Sequence, residues 1–539
     1  MWTSKNTSKG YISSESGVFA DALDVFGDAR FPSRHRFGYG GGYPSEGRSR
    51  TDEHEPSSEE GLSGEATLSG EARDAILILG ATVVTLNPAR EIIYDGGLAI
   101  VKDKIAAVGP SDFVRTRFAS ASKVIDASGM VVFPGLVNTH THLFQTLLKG
   151  LGDDRVLSDW FSSMTGPSAV HLTEDDVYQA ARLGVLESIR SGVTTILDYM
   201  YPHPRPRLGD QVIRAFSELG IRGILGRGMM DTGDEFGVPA GIIQDIDAIV
   251  SDCRRLHETY DEGPGGRIRV WFAPAAVWSN SPDCLRAIRS LADALKTGIT
   301  VHVSETPFDR ASAERLHGAP DMEALERLGF LGPDVLMVHC VYLTPRELRI
   351  SKDLDVKVSH NPVSNMYLSS GVAPIPKMLE MGITVGLATD GAGSNNSQDM
   401  IESLKFCALL HKVHTLDPTI ITAEKVLEMA TIDGARALGL QEEIGSLEVG
   451  KKADLFIFDP LSSPKSVPLH HPVSTLVYSS SQDNVRTVII DGRIVMEDGV
   501  IKSADELEIL KGAKEAAERL VERAGTSRLA KRPWRSLAY

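Results

Sequence analysis

The chain has 539 residues, 42% of them hydrophobic, and a formal net charge of −16 at pH 7. That is apolar material for a large core plus a smaller second domain, and an acidic balance with no local Lys/Arg cluster argues against a nucleic-acid binder with a basic surface. Four scattered cysteines, Cys253, Cys284, Cys340 and Cys407, lack CxxC spacing, so neither a disulfide framework nor a cysteine zinc site is indicated and the thiols are expected reduced, in the cytoplasm.

No apolar run reaches the roughly 18 residues that a bilayer span requires, and no basic-then-apolar signal peptide opens the chain, so no membrane partner is expected. In chain order, residues 1–73 are rich in Ser, Gly, Arg and Glu without an apolar period. Such a segment buries too little surface to offset its ordering entropy and is expected to be a disordered tail. Residues 74–131 change to short β-rich runs ("AILILGATVVTL", "GGLAIVKDKIAAVG") punctuated by Gly and Asp. Similar runs return over 441–505 ("KKADLFIFDP", "VRTVIIDGRIVMEDG"), which predicts one small β-sandwich domain built from both ends. Residues 506–539 contain a helical period and form the final helix and tail.

Over 132–440, strand-length apolar runs alternate with amphipathic helical segments, the pattern of βα units around a parallel sheet. The strand candidates are "VVFPGLVNTHTH", "GVTTILDYM", "IRGILGRGMM", "IRVWFAPAA", "GITVHVSE", "DVLMVHC", "DVKVSHNP" and "ITVGLATDG". This set suits an α/β fold of the (β/α)8 TIM-barrel type, with function at the C-terminal strand ends; a doubly wound open sheet is the competing architecture.

Titratable residues gather at those ends: His140 and His142 on the first strand, His302 and Glu305 on the fifth, His339 on the sixth, His360 on the seventh and Asp390 on the eighth. Residues two apart on a strand share a face, so His140 and His142 are placed to point together into the barrel mouth. His302 and Asp390 would complete the shell of one divalent metal, Zn2+ or alternatively Fe2+, with a position left for water. A lone strand-end histidine is ordinarily a hydrogen-bonded structural residue; HxH, HxxE, a strand-end His and TDG in order along one barrel are together the signal.

With these motifs the chain resembles the amidohydrolase superfamily, in the branch of cytosine, guanine, 8-oxoguanine and S-adenosylhomocysteine deaminases and triazine hydrolases. The resemblance runs from about 74 to 525 and rests on "PGLVNTHTH", "HVSE", "VHC", "SHNPVSNMYLSSGVAPIPKMLEMGITVGLATDG" and "ATIDGARALGLQEEIGSLEVGKKADLFIFDP". It implies a mononuclear centre, since the fourth-strand lysine that bridges two metals in dihydroorotase-like relatives is missing from "RIRVWFAPAAVWSN". It also implies a metal-activated water as nucleophile, with Asp390 accepting its proton, Glu305 donating to a ring nitrogen and His339 polarising the water or the developing oxyanion.

Gln145 matches a position where relatives acting on oxo-purines and triazines often carry an amide that reads a ring carbonyl. Trp160 and Trp278 are candidates to stack on a flat ring, and His360 and Asn365 either order the loop beneath the site or touch substrate. His470 and His471 lie in the returning β segment and read as structural. The chain departs from adenosine-type members of the branch: Ala275 and Ala276 stand where a Pro-His pair is usual, and Ser168 stands near a ribose-binding Glu.

The expected activity is release of ammonia or an amine from a small N-heterocycle: an oxidised purine, a pterin or an s-triazine. Hydrolysis of a cyclic amide or carbon–halogen bond, and an inactive scaffold relative, are the alternatives. Relatives are commonly homo-oligomers, and this is expected here too.

Overall fold

The computed structural model describes residues 73–531, 533, 534 and 536; the tail expected over 1–73 lies outside the described residues but for Arg73. The first strands are β1 (Ile76–Val84), β2 (Ile92–Val101), β3 (Lys104–Pro110), β4 (Lys123–Asp126) and β5 (Val131–Pro134). Next come β6 (Leu136–Thr141), β7 (Val193–Met200), β8 (Arg222–Met229), β9 (Ile268–Pro274), β10 (Ile299–Val303), β11 (Val335–His339), β12 (Lys357–His360) and β13 (Val385–Leu387). The last are β14 (Leu455–Phe458), β15 (Val485–Ile490), β16 (Arg493–Glu497) and β17 (Val500–Ile501).

Strands β6 to β13 are neighbours in sequence order in one eight-stranded sheet, and every ladder between them is parallel. All residues of β6, β7 and β8 are buried, as expected of barrel strands whose outer face is covered by helices and whose inner face packs in the barrel interior. The seam between the first and last strands is closed largely by side chains. The Asn138 amide donates to Thr389 Oγ1 (2.8 Å) and accepts from the Thr389 N–H (3.2 Å), and the Asp390 N–H donates to the His140 carbonyl (3.2 Å). This stitching brings Asp390 beside the HxH pair, 250 residues earlier in the chain. The fold is the (β/α)8 barrel.

The small domain is one nine-stranded mixed sheet drawn from both ends. Its two halves share one apolar cluster, with Ile78, Leu98 and Val132 from the N-terminal side and Leu455, Ile457 and Ile489 from the C-terminal side. "VVFPGLVNTHTH", expected as one strand, is two. Residues 131–134 pair antiparallel with β14 in the small sheet, and the barrel begins only after Gly135. That glycine has no room for a side chain, because a Cβ there would come within 2.0 Å of Thr194 Oγ1. The two bodies are tied by an ion pair buried on both sides, Arg222 Nε to Asp454 Oδ2 at 2.8 Å.

The helix Glu174–Arg190 starts on a capping box in which Thr173 Oγ1 accepts from the Asp176 N–H (3.2 Å) and Asp176 Oδ2 accepts from the Thr173 N–H (2.8 Å). The helix Glu506–Arg523 buries Ile509, Ala513, Ala516 and Leu520, a spacing of four, three and four that forms one face. Arg190 holds Glu506 through two hydrogen bonds (2.9 and 2.6 Å), so the last helix is fastened to the helix Glu174–Arg190. Among the described residues no helix is long and apolar enough to cross a membrane.

Candidate metal centre and active site

The strand alternation does what the HxH spacing requires: one nitrogen each of His140, His142 and His302 lies within 4.8 Å of the others. His142 Nδ1 donates to the Tyr199 carbonyl (2.7 Å) and His302 Nδ1 to the Ala275 carbonyl (2.5 Å). Carrying their protons on Nδ1, both rings offer a free Nε2 lone pair, the arrangement that metal-binding imidazoles adopt. Burial, and then the neighbouring His140, push the His142 imidazole down to about 3, and burial holds His302 well below its ordinary value. Both are therefore neutral at ordinary pH and available as ligands.

His140 is fully buried, and neither of its ring nitrogens has a hydrogen-bond partner. Such a buried orphan is costly unless something outside the protein atoms satisfies it. Its Nε2 lies 3.3 Å from Asp390 Oδ1, and His142 Nε2 lies 3.5 Å from the same oxygen. Burial alone would raise the Asp390 carboxyl, but His140, His339 and His142 around it hold it well below the usual carboxylate range. Three imidazole nitrogens within 4.8 Å of one another, with a carboxylate oxygen beside two of them, fit a single borderline divalent cation. No lysine occurs on β9 to bridge a second ion.

Around this cluster stand two further titratable groups, Glu305 and His339. Glu305 is 6% exposed; its Oε1 accepts from Ser370 Oγ (2.9 Å). Burial first, then Asp309 and Asp390, raise its carboxyl well above the ordinary range, which favours its protonated form. His339 Nδ1 faces the amide Nδ2 atoms of Asn365 (3.0 Å) and Asn361 (3.3 Å). An amide N–H only donates, so His339 Nδ1 accepts and its proton sits on Nε2, 3.5 Å from Glu305 Oε2 and 3.9 Å from Asp390 Oδ2.

The backbone aims these groups at some expense. Ser304, His339 and Asp390 have φ of 49°, 69° and 61°, left-handed positions that cost a non-glycine residue on the order of 1–3 kcal/mol each and cluster at functional sites. The strain is held by specific partners: Asp321 accepts from Ser304 Oγ (2.6 Å), and Asp390 Oδ1 accepts from the Gly391 N–H (2.6 Å).

A cavity of about 410 Å³ opens over the cluster and is lined by His142, His302, Glu305, His339 and Asp390, together with Gln145, Trp160 and Trp278. Gln145 is fully buried; its Nε2 donates to Tyr201 OH (3.3 Å) and its Oε1 accepts from the Gly393 N–H (3.3 Å). The Trp160 indole N–H donates to the Gly393 carbonyl (2.7 Å) and that of Trp278 to Asp309 Oδ1 (2.8 Å), so both tryptophans meet the cavity through carbon. Asn365 is not among the lining residues and instead holds His339. His360 points elsewhere, its Nε2 3.0 Å from that of His411. Asn361, Ser370, Asp321 and the Tyr199 and Ala275 carbonyls escaped the sequence reading, because nothing in their local spacing marks them.

A parallel barrel with a candidate histidine–carboxylate metal centre, a buried glutamate and a strand-end histidine over one cavity is the arrangement of a hydrolase of the barrel type. Residues 131–495 match the model of the Amidohydrolase family. The chain belongs to that family. It is 42% identical over 450 residues to a 5'-deoxyadenosine deaminase of Methanobrevibacter smithii (83% of this chain, 99% of that protein). It is 37% identical over 447 residues to a 5-methylthioadenosine/S-adenosylhomocysteine deaminase of Syntrophomonas wolfei (83% and 99%). Among solved structures it is similar to an adenosine deaminase from Xanthomonas campestris with bound zinc, at a TM-score of 0.77, 29% identity and coverage of 83% and 98%. It is also similar to the atrazine chlorohydrolase TrzN from Arthrobacter aurescens complexed with zinc, at 0.76, 28%, and 82% and 100%.

Proposed function

We propose that this chain is a metal-dependent aminohydrolase that releases ammonia or an amine from an amino-substituted N-heterocycle. The reading rests on one observation: the converging nitrogens of His140, His142 and His302 and the carboxylate of Asp390 face a protonated Glu305 and a neutral His339 across one cavity. The curated deaminases and the zinc-bearing structures it resembles support it. Purines of the adenine type head the candidate substrates, followed by oxidised purines, pterins and s-triazines, the last because a triazine-ring hydrolase shares the fold.

His140, His142, His302 and Asp390 would hold one Zn2+ or Fe2+, which when bound would make a water acidic enough to act as a nucleophile near neutral pH. Asp390, kept ionised by the histidines around it, accepts the proton of that water. Glu305, kept protonated by burial, donates through its carboxyl oxygen to a ring nitrogen as the adjacent carbon is attacked. His339 keeps its Nε2–H toward Glu305 and Asp390 and donates to the oxygen that gains charge, a stabilisation of about 3–4 kcal/mol in a water-excluded site. A proton returned to the exocyclic nitrogen lets the amine leave.

The test is an ammonia assay on a panel of aminopurines, aminopterins and amino-s-triazines with zinc-loaded protein. Turnover of at least one ring supports the reading. Silence across the panel together with ring opening of lactams or dehalogenation replaces it with the second hydrolase class.

A further inference from the structure

We propose that Tyr199 is a positioning residue of the candidate metal centre: its backbone carbonyl, its hydroxyl and its ring together aim His142 and His302 at one ion. The inference rests on the metal-dependent reading above and goes beyond it, because Tyr199 has no part in the proton transfers.

Tyr199 lies on β7 and is fully buried. Its carbonyl accepts from His142 Nδ1 (2.7 Å). Its hydroxyl donates to the carbonyl of Pro274, the last residue of β9. Pro274 is joined to Ala275, whose carbonyl accepts from His302 Nδ1 (2.5 Å). One residue therefore supplies the acceptor for one imidazole and braces the acceptor for another.

The brace runs through two consecutive peptide planes. The Pro274–Ala275 peptide is held at its oxygen by Tyr199 and at its N–H by the Met229 carbonyl (2.9 Å). The Ala275–Ala276 peptide carries the oxygen that faces His302, and its N–H donates to Ser279 Oγ (3.1 Å). Three of the four polar atoms in these two planes are thus anchored, which leaves the fourth fixed in direction for His302. Loss of the Tyr199 hydroxyl frees one anchor, and the carbonyl that orients His302 can then swing about Ala275.

The ring adds support from the side. Its centroid lies 4.6 Å from that of His302, 5.3 Å from that of His140 and 5.4 Å from that of His142. His140 has no hydrogen-bond partner at either ring nitrogen, so contacts of this kind set the plane of its imidazole. Burial raises the Tyr199 phenol well above its ordinary value, so the hydroxyl stays a donor. A tyrosine kept only for packing would be served as well by phenylalanine, and the hydroxyl is what separates the two roles.

The experiment strips the full-length protein of metal, titrates it with Zn2+ against a chromogenic chelator of known affinity, and records the melting temperature with and without zinc. Y199F keeps the ring and both backbone acceptors and loses the hydroxyl alone. Its zinc dissociation constant is expected to rise about tenfold, the lower end of the range for groups that orient metal-binding imidazoles. The stabilisation gained at saturating zinc should shrink by the same factor, about 1.4 kcal/mol. Y199M, which has neither hydroxyl nor ring, should weaken binding further and gives the same readout if Y199F does not fold. Equal drops in the metal-free and zinc-loaded melting temperatures with an unchanged dissociation constant would make Tyr199 a packing residue, overturning the inference and leaving the aminohydrolase reading standing. Wild-type protein that takes up no zinc overturns both.

Discussion

Glu305→Gln is the sharpest perturbation of the chemistry, because it changes one exchangeable proton and little else. Glu305 is buried, accepts from Ser370 Oγ at 2.9 Å and lies 3.5 Å from His339 Nε2. The replacement amide has nearly the same volume, and its oxygen keeps the Ser370 contact. Burial and the nearby Asp309 and Asp390 raise the native carboxyl well above its ordinary range, so a neutral amide suits the site and the stability cost is small. What is lost is an acidic proton for the ring nitrogen. General acid catalysis contributes about 10²–10⁴-fold, equivalent to about 2.7–5.4 kcal/mol of barrier. The expected result is a fall in kcat of that size with KM within about threefold of wild type and an unchanged melting temperature, read by a continuous ammonia-coupled assay. A variant retaining more than about a third of wild-type kcat refutes the proton-donor role.

Other outcomes follow from the same geometry. H142A should bind less than about a tenth of an equivalent of zinc by elemental analysis, since three donors with poorer closure replace four; wild-type content would mean that the ion sits elsewhere. R222M should lower stability by about 3–5 kcal/mol because it strands the buried Asp454 carboxylate, and R222M/D454N should recover part of the loss in urea titrations; equal losses would deny the coupling. Burial would raise the Asp210 carboxyl, but Arg255 and Tyr260 hold it below its ordinary 3.8. Its stabilisation is therefore present above about pH 4 and lost as pH falls through the folded value, so D210N should weaken the acid dependence of the melting temperature below pH 4, and an unchanged dependence would remove Asp210 from the account.

The readable part of the site was the part written in strand periodicity. His140 and His142 sit two apart on one strand, and His302, His339 and Asp390 each end a run of strand length, so alternation and barrel closure bring them together without knowledge of the loops. The groups that tune them were hidden because their partners are remote in sequence. Asn361 and Asn365 reach back 22 and 26 residues to fix the His339 tautomer, and a carbonyl acceptor such as Tyr199 has no residue signature at all. Phe236 and Phe308 carry no signal in their local sequence, because only the meeting of the segments after β8 and β10 places them over the cavity. The entry strand was misjudged for a local reason: the apolar run from Val131 to Thr141 looks continuous, but Gly135 pressed against Thr194 divides it between two sheets.

Everything proposed for the chemistry depends on one divalent ion sitting among the His140, His142 and His302 nitrogens and the Asp390 carboxylate. Anomalous diffraction from crystals of zinc-loaded protein, collected above and below the zinc edge, measures this directly. A single strong difference peak is expected about 2.0–2.2 Å from those four ligand atoms. A fully active protein with no peak there, or with its zinc bound at other residues, would contradict it.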